Sequence, residues 1–418
     1  MALKSWCSVV RQRTLENTWI VHSGLLLFMT LGFLQALLGR RQQAIDALSQ
    51  VHRTARFFWF RRVVEPYILA NLAATYRDPQ TLPKPNLSAC FGNRLMVLKA
   101  PAAGGEKGVL FVMVNDPIRS LHSGMNLPKL LGDYTLIFEP SWSGYCHRDL
   151  LEFTRWNEQI FILTAEEGDF AFLKRLDSNL IPVDLGPCDW VDPRTAEPYL
   201  KAEKKYDIAM NSNWGAWKRH YVLFHMLRHA KQRYKVALIG FQWSGRVQAD
   251  VERLADYYGV SDQLTFFDWI PLDQVMDLVC SSRVSILLSL KEGSNRTTAE
   301  SIFCNVPVVV LASHVGGIRK NVVPETGLLV EEANLESAIA DLLESNLQPR
   351  QWGLQNISCF KSTERLNALL REYALKQGRP WTQDIAVRSN SPESSYADPE
   401  DTERFRPWNE GLKDYLRQ

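Results

Sequence analysis

Three common catalytic motifs are absent from this 418-residue sequence. It contains no G-x-x-x-x-G-K-[ST] loop, no H-E-x-x-H pair and no G-x-S-x-G turn. Each motif arranges the groups that its chemistry needs: a phosphate cradle with a lysine, two zinc-binding histidines, or an exposed nucleophilic serine. Their absence argues against the usual P-loop nucleotide hydrolases, zinc proteases and serine hydrolases.

Closely spaced cysteines and a strong excess of charge are also missing. The seven cysteines lie far apart without any C-x-x-C pair, and the formal net charge is only +2. This spacing indicates neither a disulfide framework nor a zinc knuckle, and the near-neutral charge gives no case for a nucleic-acid partner. We therefore expect reduced cysteines and a cytoplasmic location. The cysteines occupy positions 7, 90, 146, 188, 280, 304 and 359.

The chain is too long for a single hydrophobic core. With 418 residues, 46% hydrophobic and 22% charged, it is globular, and two domains are the default expectation. The polar, proline-rich segment 184–198 is the predicted boundary between them. The predicted divisions are a hydrophobic and helical extension at 1–85, an acceptor domain at 86–190, a ligand-binding domain at 200–350, a return helix at 351–380 and a partly disordered tail at 381–418.

Short apolar runs alternate with helical segments in both predicted domains. This alternation is typical of parallel, doubly wound sheets, which bind ligands beyond the carboxyl ends of their strands. In the second domain the turns after Asn211, Gly240 and Leu290 lie at such ends, so they can converge on one ligand. The predicted strands are 109–114, 135–138, 160–164 and 179–183 in the first domain, and 206–211, 235–239, 264–267, 284–290 and 306–311 in the second.

Residues 17–39 contain no Asp, Glu, Lys or Arg and are long enough for a helix to cross a bilayer, which takes about 20 residues. His22, Ser23 and Gln35 dilute this hydrophobicity, so a membrane-spanning helix and a buried or interfacial helix both remain open. We expect membrane association through this stretch. If the helix spans, the basic residues at 40, 41, 53, 56, 61 and 62 favour a cytosolic location for the chain that follows.

The segment 291–330 contains the residues that we expect to bind a ligand. Glu292 and Glu300 flank a loop that opens with Gly293 and contains Arg296, and the uncharged run 284–290 precedes it. A strand, a glycine-containing loop and a helix form a crossover unit whose free amides lie at the positive end of the helix dipole, where phosphate binds. Two carboxylates would repel phosphate, so we expect them to accept hydrogen bonds from sugar hydroxyls on either side of it. Thr297 and Thr298 are suited to capping the helix.

This segment resembles the donor site of retaining, family-four glycosyltransferases (glycosyl transferases group 1). Their pattern has two glutamates separated by seven residues, then a proline-bearing strand, a glycine pair and a late glycine. The resemblance implies an α/β protein of the GT-B type, with two Rossmann-like domains facing each other across a cleft and, here, an N-terminal helical extension. The matching residues are Glu292, Gly293, Glu300, Pro307, Gly316, Gly317 and Gly327.

The resemblance also implies residue roles. Glu292 would contact the donor sugar and Glu300 the ribose, while Lys218 would neutralise the diphosphate of the departing nucleotide. Arg219 or Arg296 would supply the second positive charge. The implied catalytic residues are Glu292 and Lys218, and the implied donor-binding residues are Gly293, Ser294, Asn295, Arg296, Glu300, Arg219 and Gly240.

Four positions depart from the family's pattern. Ser294 and Asn295 replace a phenylalanine and a glycine, Lys320 stands where a glutamate is common, and Asn213 occupies the place of an arginine. Two alternatives to glycosyl transfer therefore remain open. One is a catalytically inactive, membrane-associated protein that binds sugar nucleotides, and the other is a sugar-nucleotide epimerase of the same fold.

No D-x-D triplet occurs in the sequence, so we expect a donor site neutralised by lysine and arginine rather than by a metal. No cofactor is expected, because the nucleotide-sugar is a co-substrate. The implied reaction transfers a sugar to a hydroxyl, in the synthesis of a polysaccharide, glycolipid or other glycoconjugate, and the expected partners are a nucleotide-sugar and a glycan or lipid-linked acceptor. Polar residues near strand ends and three tryptophans are weaker candidates for ligand contact: His122, Glu139, His147, Glu166, Glu167, Trp214, Trp217 and Trp243.

Overall fold

A computed structural model describes residues 9–10, 12–14, 16–82, 85–141, 144–390 and 393–417. The chain divides into two compact units. The N-terminal unit comprises Thr18–Pro187 and Ser362–Gln418, and the central unit comprises Met1–Asn17 and Cys188–Lys361. Lys4 and Arg11, which precede the apolar stretch in the sequence, lie outside the described residues.

The N-terminal unit opens with three helices: α1 (Thr18–Leu37), α2 (Arg41–Thr54) and α3 (Phe58–Ala70). Helix α1 approaches α2 closely at Gly32, where an added Cβ would lie 2.7 Å from a methyl carbon of Leu48. In the described part of the chain, α1 is the one helix long and apolar enough to cross a membrane by length and composition. Only 17% of its most apolar window is buried, so α1 is not a core helix.

The sheet of the N-terminal unit has five strands in the order β1-β2-β3-β4-β5. Strand β1 (Leu95–Lys99) is antiparallel to β2 (Gly108–Met113), and β3 (Tyr134–Glu139), β4 (Ile160–Leu163) and β5 (Leu180–Val183) continue in parallel. The strands are apolar because helices cover a parallel sheet. The strand order never reverses, so this sheet differs from the doubly wound sheet that the alternation predicted. Its helices are α4 (Asn115–Gly124), α5 (Leu127–Asp133), α6 (Arg148–Leu151) and α7 (Glu167–Leu176).

The central unit has a six-stranded parallel sheet in the order β11-β10-β9-β6-β7-β8. Neighbouring residues of one strand point into different apolar clusters, since Leu238 belongs to one cluster and Ile239 to the other. Both faces are therefore covered, as expected for a parallel sheet. The elements are β6 (Tyr206–Asn211), α8 (His220–His229), β7 (Val236–Gly240), α9 (Gln248–Tyr258), β8 (Leu264–Asp268), α10 (Leu272–Cys280), β9 (Ser282–Leu287), α11 (Arg296–Phe303), β10 (Val308–Leu311), β11 (Gly327–Val330), α12 (Leu335–Leu343) and α13 (Pro349–Asn356).

The strand order of the central unit reverses between β6 and β9. The chain runs outward from β6 through β7 to β8, and then returns to add β9 on the other side of β6. In open α/β sheets such a reversal opens a crevice at the carboxyl ends of the two central strands, because their following loops diverge to opposite faces. The loops that follow β6 and β9 thus lie at the same end of the sheet, next to each other.

The described residues of the C-terminal region form a hairpin and a helix, which differs from the partly disordered tail expected at 381–418. After α14 (Cys359–Lys376) come a hairpin of β12 (Arg388–Asn390) and β13 (Ser394–Tyr396), and then α15 (Pro399–Gly411). Asn409 of α15 accepts a hydrogen bond from the N–H of Val97 in β1 at 2.9 Å. The Tyr396 hydroxyl donates to the carbonyl of Val97 at 2.8 Å.

A buried ion pair anchors the C-terminal region, and it explains why this region has secondary structure where a disordered tail was expected. Arg388, which is 0% exposed, binds both carboxylate oxygens of Glu139 at 3.0 and 3.1 Å. A polar composition suggests disorder because few apolar groups are available for burial. Here a single arginine with a partner far away in the sequence supplies the anchor, and no local pattern reveals such a pair.

We predict that Arg388→Met destabilises the N-terminal unit by about 3–5 kcal/mol, because it leaves the carboxylate of Glu139 buried without its partner. Urea denaturation, followed by hydrogen exchange at the amides of β2 and β3, measures the effect. The double variant Glu139→Leu/Arg388→Met should recover most of the loss. Arg404→Met, on the exposed side of α15, is the control and should cost less than about 0.5 kcal/mol. Equal stability of the Arg388 and Arg404 variants would contradict the assignment.

Candidate functional site

The candidate site lies at the carboxyl ends of β6 and β9 in the central unit. After β6 the chain turns through residues 212–219, and after β9 it continues through residues 288–295 to α11. The two strands pair directly in the sheet. Because the strand order reverses between them, residues far apart in the sequence meet at this point.

The turn after β6 presents Lys218 toward the loop after β9. The Asn213 side chain accepts a hydrogen bond from the N–H of Gly215 at 3.0 Å, and a 3-10 turn, Ala216–Lys218, follows. Arg219 then adopts a left-handed conformation with φ of 61° and starts α8. Lys218 consequently lies at a sharp corner, only 5% exposed.

Lys218 and Glu292 form a nearly buried ion pair. The ammonium nitrogen of Lys218 lies 2.8 Å from Oε1 of Glu292 and 4.0 Å from the ring centre of Trp217. Glu292 also accepts hydrogen bonds from the Ser289 hydroxyl and, at 3.0 Å, from the Asn295 side-chain amide. The structure therefore brings together the two residues predicted to be catalytic.

The pKa of Glu292 follows from these contacts. Burial acts to raise the pKa of the carboxyl, but the charge of Lys218 and the hydrogen bonds from Lys218, Ser289 and Asn295 together hold it below its ordinary value. Glu292 is thus ionised at neutral pH, and its negative charge is balanced by one lysine. A ligand that takes the lysine must also supply hydrogen-bond donors for the carboxylate.

Asn295 begins the helix that carries Glu300. Its side-chain oxygen accepts hydrogen bonds from the N–H of Thr298 at 3.0 Å, from the Thr298 hydroxyl at 3.0 Å and from the Thr297 hydroxyl at 2.7 Å. The prediction that Thr297 or Thr298 caps α11 was therefore wrong, since both threonines donate to the cap. Asparagine is one of the best N-cap residues, and here its amide also binds Glu292.

Glu300 is 2% exposed on α11 and is held by two partners. Its carboxylate accepts hydrogen bonds from Arg296 at 2.8 Å and from the side chain of Asn211, the last residue of β6, at 3.3 Å. The structure places Glu300 next to the same strand end from which the Lys218 turn departs. Arg296, one of the two residues expected to supply a second positive charge, binds Glu300.

Arg219, the other expected source of positive charge, is bound by carboxylates within the central unit. Its guanidinium binds Glu16 and Glu332, each at 2.8 Å, and donates to the carbonyl of Leu288 at 3.2 Å. Glu16 also accepts a hydrogen bond from the Tyr221 hydroxyl. Arg219 thus fastens the described part of the N-terminal segment to the turn that positions Lys218.

Two glycines hold the loop after β9 close to the chain that follows β10. The N–H of Gly317 donates to the carbonyl of Gly293 at 2.7 Å. Gly316 has φ of 151°, and a Cβ at this position would lie 2.1 Å from the carbonyl oxygen of Glu292. Any side chain at position 316 would therefore push the backbone of Glu292 away.

Gly240 is also a close-packing position rather than a surface loop residue. A Cβ there would lie 2.6 Å from the carbonyl oxygen of Ser212 and 2.8 Å from the ring of Trp214. Its carbonyl accepts a hydrogen bond from the N–H of Trp269 at 2.9 Å. The end of β7 thereby supports the turn that leads to Lys218.

Two residues that depart from the family's pattern bind the start of the central unit. The Ser294 hydroxyl accepts a hydrogen bond from the N–H of Cys188 at 3.1 Å, and Lys320 lies 3.2 Å from a carboxylate oxygen of Asp189. Asp189 is 2% exposed, so Lys320 balances a buried charge. These side chains secure the segment that enters the central unit.

His314 belongs to the site and was missed by the sequence analysis. It is 0% exposed, and its Nδ1 lies 2.7 Å from the carbonyl oxygen of Ser289, which can only accept a hydrogen bond. Nδ1 therefore carries the proton, and Nε2 is left as an acceptor without a partner among the described residues. Burial lowers the pKa of His314, which keeps the ring neutral. A histidine two residues before the glycine pair was the available signal.

The other candidates are mostly occupied in structural contacts. Trp214 is 0% exposed and donates to Asp268 at 2.7 Å, so it cannot stack on a ligand, whereas Trp217 and Trp243 are 40% and 50% exposed. In the N-terminal unit, burial next to Arg155 and Arg77 lowers the pKa of His122 to about 3. Three of the four remaining polar residues have carboxylate or arginine neighbours, namely Glu139 with Arg388, Glu166 with Arg61 and His147 with Asp149, and the fourth, Glu167, is exposed.

In the described part of the chain, no group of three or more His, Cys, Asp or Glu side chains could hold a metal ion. The positive charges next to the site are those of Lys218, which is paired with Glu292, and Arg319, which donates a hydrogen bond to the carbonyl oxygen of His314 at 3.2 Å. The backbone N–H groups at the start of α11 add partial positive charge. That the reaction needs no metal stays a prediction.

We predict that Lys218→Met raises the pKa of Glu292 above its ordinary value, because burial then acts without the opposing charge. In the wild type the pKa of Glu292 is lower in the folded than in the unfolded chain. Ionised Glu292 therefore stabilises the fold at a pH above its unfolded-state pKa, and this stabilisation is lost as the pH falls through its folded-state pKa. In the variant the raised pKa of Glu292 reverses this pH dependence, so the free energy of unfolding should decrease as the pH rises from about 4 to 7. Urea midpoints of Lys218→Met, compared with Lys218→Met/Glu292→Gln, isolate the effect. Parallel pH profiles for the two variants would contradict it.

Comparison with known proteins assigns residues 192–357 to a sequence family. This segment, less than half of the chain, matches the profile described as "Glycosyl transferases group 1". It contains Lys218, Glu292, Glu300 and His314. No curated protein sequence is significantly similar to the chain.

Solved structures similar to this one include two from cyanobacteria. The Anabaena protein Alr3699/HepE, solved in complex with UDP, aligns with a TM-score of 0.50 and 11% identity over 63% of this chain and 78% of that protein. Sucrose-phosphate synthase from Thermosynechococcus elongatus aligns with a TM-score of 0.47 and 18% identity over 64% of this chain and 74% of that one. The chain thus has the α/β architecture of the GT-B type with an N-terminal helical extension, and its residues 192–357 carry the sequence pattern of the group 1 glycosyl transferases.

Proposed function

We propose that the protein is a glycosyltransferase that moves a sugar from a nucleotide-diphosphate-sugar to a hydroxyl of an acceptor. The observation that carries this proposal is the buried Lys218–Glu292 pair where the strand order of the central sheet reverses. The match of residues 192–357 to the group 1 family supports the reaction class.

The ion pair provides a way to bind the diphosphate and the sugar together. A diphosphate that approaches the amides of the 293–296 loop attracts Lys218 away from Glu292. The carboxylate then needs new donors, which the hydroxyls of the transferred sugar provide. Binding the complete donor therefore satisfies both members of the pair, whereas a nucleotide alone leaves Glu292 without its strongest partner.

His314 gives the sugar a second contact. Its Nε2 is a buried acceptor to which no residue in the described part of the chain donates, and it lies next to the glycine pair that supports Glu292. A buried acceptor is stabilised when a donor reaches it, at a net gain of about 1 kcal/mol for a neutral hydrogen bond. A sugar hydroxyl has the required donor. Glu292 and His314 together would thus select a hydroxylated ring at the end of the diphosphate.

In the proposed reaction the bond between the anomeric carbon and the phosphate oxygen breaks, and a bond from the acceptor oxygen to that carbon forms. The acceptor proton passes to the departing phosphate, so no separate protein base is needed. Lys218 stabilises the charge that develops on the diphosphate, and such electrostatic stabilisation is usually the largest contribution to catalysis. We propose retention at the anomeric carbon, which rests on the resemblance of the 292–300 segment to retaining enzymes.

The remaining parts of the proposal concern the partners. We propose a glycan or lipid-linked acceptor, and synthesis of a polysaccharide, glycolipid or other glycoconjugate as the setting. UDP-sugars are the first donors to test, because the Anabaena protein of similar fold was solved with UDP. Membrane attachment is a separate proposal that depends on a different surface.

We predict that Glu292→Gln and Lys218→Ala each lower the rate of transfer at least about 100-fold, as expected for loss of a charge-stabilising group. A thermal-shift panel of UDP-, GDP- and ADP-sugars first identifies the donor, since a ligand that binds the folded form raises Tm. Nucleotide released with and without acceptor then measures turnover. Glu325→Gln and Lys201→Ala, exposed in the same unit, are matched controls and should retain wild-type rates.

The same assay separates the alternatives. An inactive sugar-nucleotide-binding protein would show a rise in Tm without released nucleotide. An epimerase of the same fold would change the sugar without net transfer to an acceptor. Wild-type turnover in both the Glu292 and Lys218 variants would refute the site.

We also predict that transfer continues at the same rate in excess EDTA, because Lys218 and the α11 amides would neutralise the diphosphate in place of a divalent cation. Initial rates with EDTA, and with EDTA followed by excess Mg²⁺ or Mn²⁺, are the measurement. Loss of activity in EDTA that either ion restores would contradict metal independence.

A further inference from the structure

The N-terminal unit exposes a continuous apolar surface on α1 and α3, which we call the α1/α3 surface. Side chains that are normally buried are open to solvent here: Trp19 is 76% exposed, Leu27 62% and Leu37 85%. Soluble monomers rarely expose contiguous apolar patches larger than a few hundred Å². The exposed members are Trp19, Ile20, Leu26, Leu27, Phe28, Leu31, Leu34, Leu37, Phe57, Phe58, Trp59 and Val63.

Contacts between the two helices show that this surface is continuous. The rings of Trp19 and Phe57 meet edge to face at 6.1 Å near the start of both helices, and those of Phe33 and Tyr67 meet at 6.1 Å farther along. The helices therefore run side by side in the same direction. Ring contacts at two places along the helices join their exposed residues into the α1/α3 surface.

Helix α1 is fastened to the unit along its opposite side. His22 is 3% exposed, and its Nε2 accepts hydrogen bonds from the backbone N–H groups of Phe57 at 3.1 Å and Arg56 at 3.3 Å. These N–H groups precede the first turn of α3, which has no side-chain cap of its own. Gly32 lies against Leu48 of α2. A helix that crossed a bilayer would lose all of these contacts.

Helix α3 cannot enter the bilayer either, because its inner face carries buried charges. Arg61 binds Glu166 at 2.8 Å, and Glu65 binds Arg175 at 2.7 Å and His52 at 3.1 Å. These pairs join α3 to α2 and to the segment that holds α7. The outer, apolar side of the same helix is the only part that can contact lipid.

The charges around the α1/α3 surface are positive. Arg40 and Arg41 follow α1 and are exposed, and Arg62 lies over the ring of Phe58 at 4.9 Å. Neither helix exposes an acidic side chain, since α1 has none and Glu65 of α3 is buried. Arginines beside exposed tryptophan and phenylalanine suit the headgroup region of an anionic bilayer.

We propose that the α1/α3 surface binds the face of an anionic lipid bilayer, with α1 lying in the plane of the membrane rather than crossing it. The apolar side chains enter the outer part of one leaflet, and the arginines contact lipid phosphates. The alternative of a spanning α1, open from the sequence, would require the unit to lose the His22 and Gly32 contacts. The proposal does not depend on the glycosyltransferase assignment.

Flotation with vesicles tests the binding. The full chain should float with vesicles of phosphatidylcholine mixed with phosphatidylglycerol, and less with phosphatidylcholine alone. Leu27→Glu/Trp59→Glu should reduce the bound fraction at least about tenfold, because two charges would enter the apolar region. Arg41→Ala/Arg62→Ala should weaken binding only to the anionic vesicles, by about fivefold for each arginine.

Leu375→Glu is the matched control, because Leu375 is 55% exposed on α14 of the same unit. It should float as the wild type does, and circular dichroism should show that every variant is folded. Equal flotation of the control and the Leu27/Trp59 variant would overturn the proposal. So would a lipid-free dimer, detected by light scattering, that Leu27→Glu/Trp59→Glu dissociates without any vesicle binding, because a second copy would then cover the surface.

Thiol labelling near the two ends of α1 distinguishes a helix that lies in the plane of the membrane from a helix that crosses it. Single cysteines are introduced on either side of α1 and outside the α1/α3 surface, as Asn17→Cys and Gln43→Cys, in a background of Cys7→Ser and Cys90→Ser; Asn17 and Gln43 are both exposed. With protein added outside preformed vesicles, an impermeant thiol reagent should label both positions without lysis. Labelling of one end only after the vesicles are lysed would show a spanning helix and refute the in-plane arrangement.

Discussion

One buried ion pair organises the central unit. Lys218 and Glu292 are 74 positions apart, yet their side chains meet at 2.8 Å because β6 and β9 are neighbours. A buried pair is weak evidence for stability, since desolvation of two charges offsets much of their attraction. The proposed function gives this pair a role, as the place where a bound donor would exchange with it. The surrounding groups support this view: Ser289 and Asn295 hold the carboxylate, and Gly316 allows the backbone of Glu292 to take its position.

Two other positive charges near the site are bound by carboxylates. Arg296 is paired with Glu300, and Arg219 with Glu16 and Glu332. Ser294 and Lys320, which depart from the family's pattern, hold Cys188 and Asp189 where the chain enters the unit. These departures are therefore structural substitutions, and they leave the Lys218–Glu292 pair intact. The N-terminal unit also contains a buried ion pair. There Arg388 and Glu139 hold the polar C-terminal region on the sheet.

Hydrophobic patterns in the sequence predicted strands well where an apolar run is also buried in the fold. The strand predicted at 206–211 is β6, and the turns after β6 and β9 meet through Lys218 and Glu292. The prediction for the helix cap failed because Asn295, Thr297 and Thr298 are all capable caps, and the contact of Asn295 with Glu292 favours one of them. His314 was missed because a single histidine has no periodicity. Its importance appears only when its Nδ1 partner and its unpartnered Nε2 are known.

The sequence by itself determined the fold class, the apolar character of α1 and the spacing of Glu292 and Glu300, since each depends on neighbours within a few residues. The tertiary structure decided which charges pair with which. It assigned Arg219 and Arg296 to carboxylates, ordered the C-terminal region through Arg388, and placed α1 along the unit with one side exposed. The physical reason is that ion pairs and packing contacts join residues distant in the chain, and strand order, which the sequence pattern leaves open, brings those residues together.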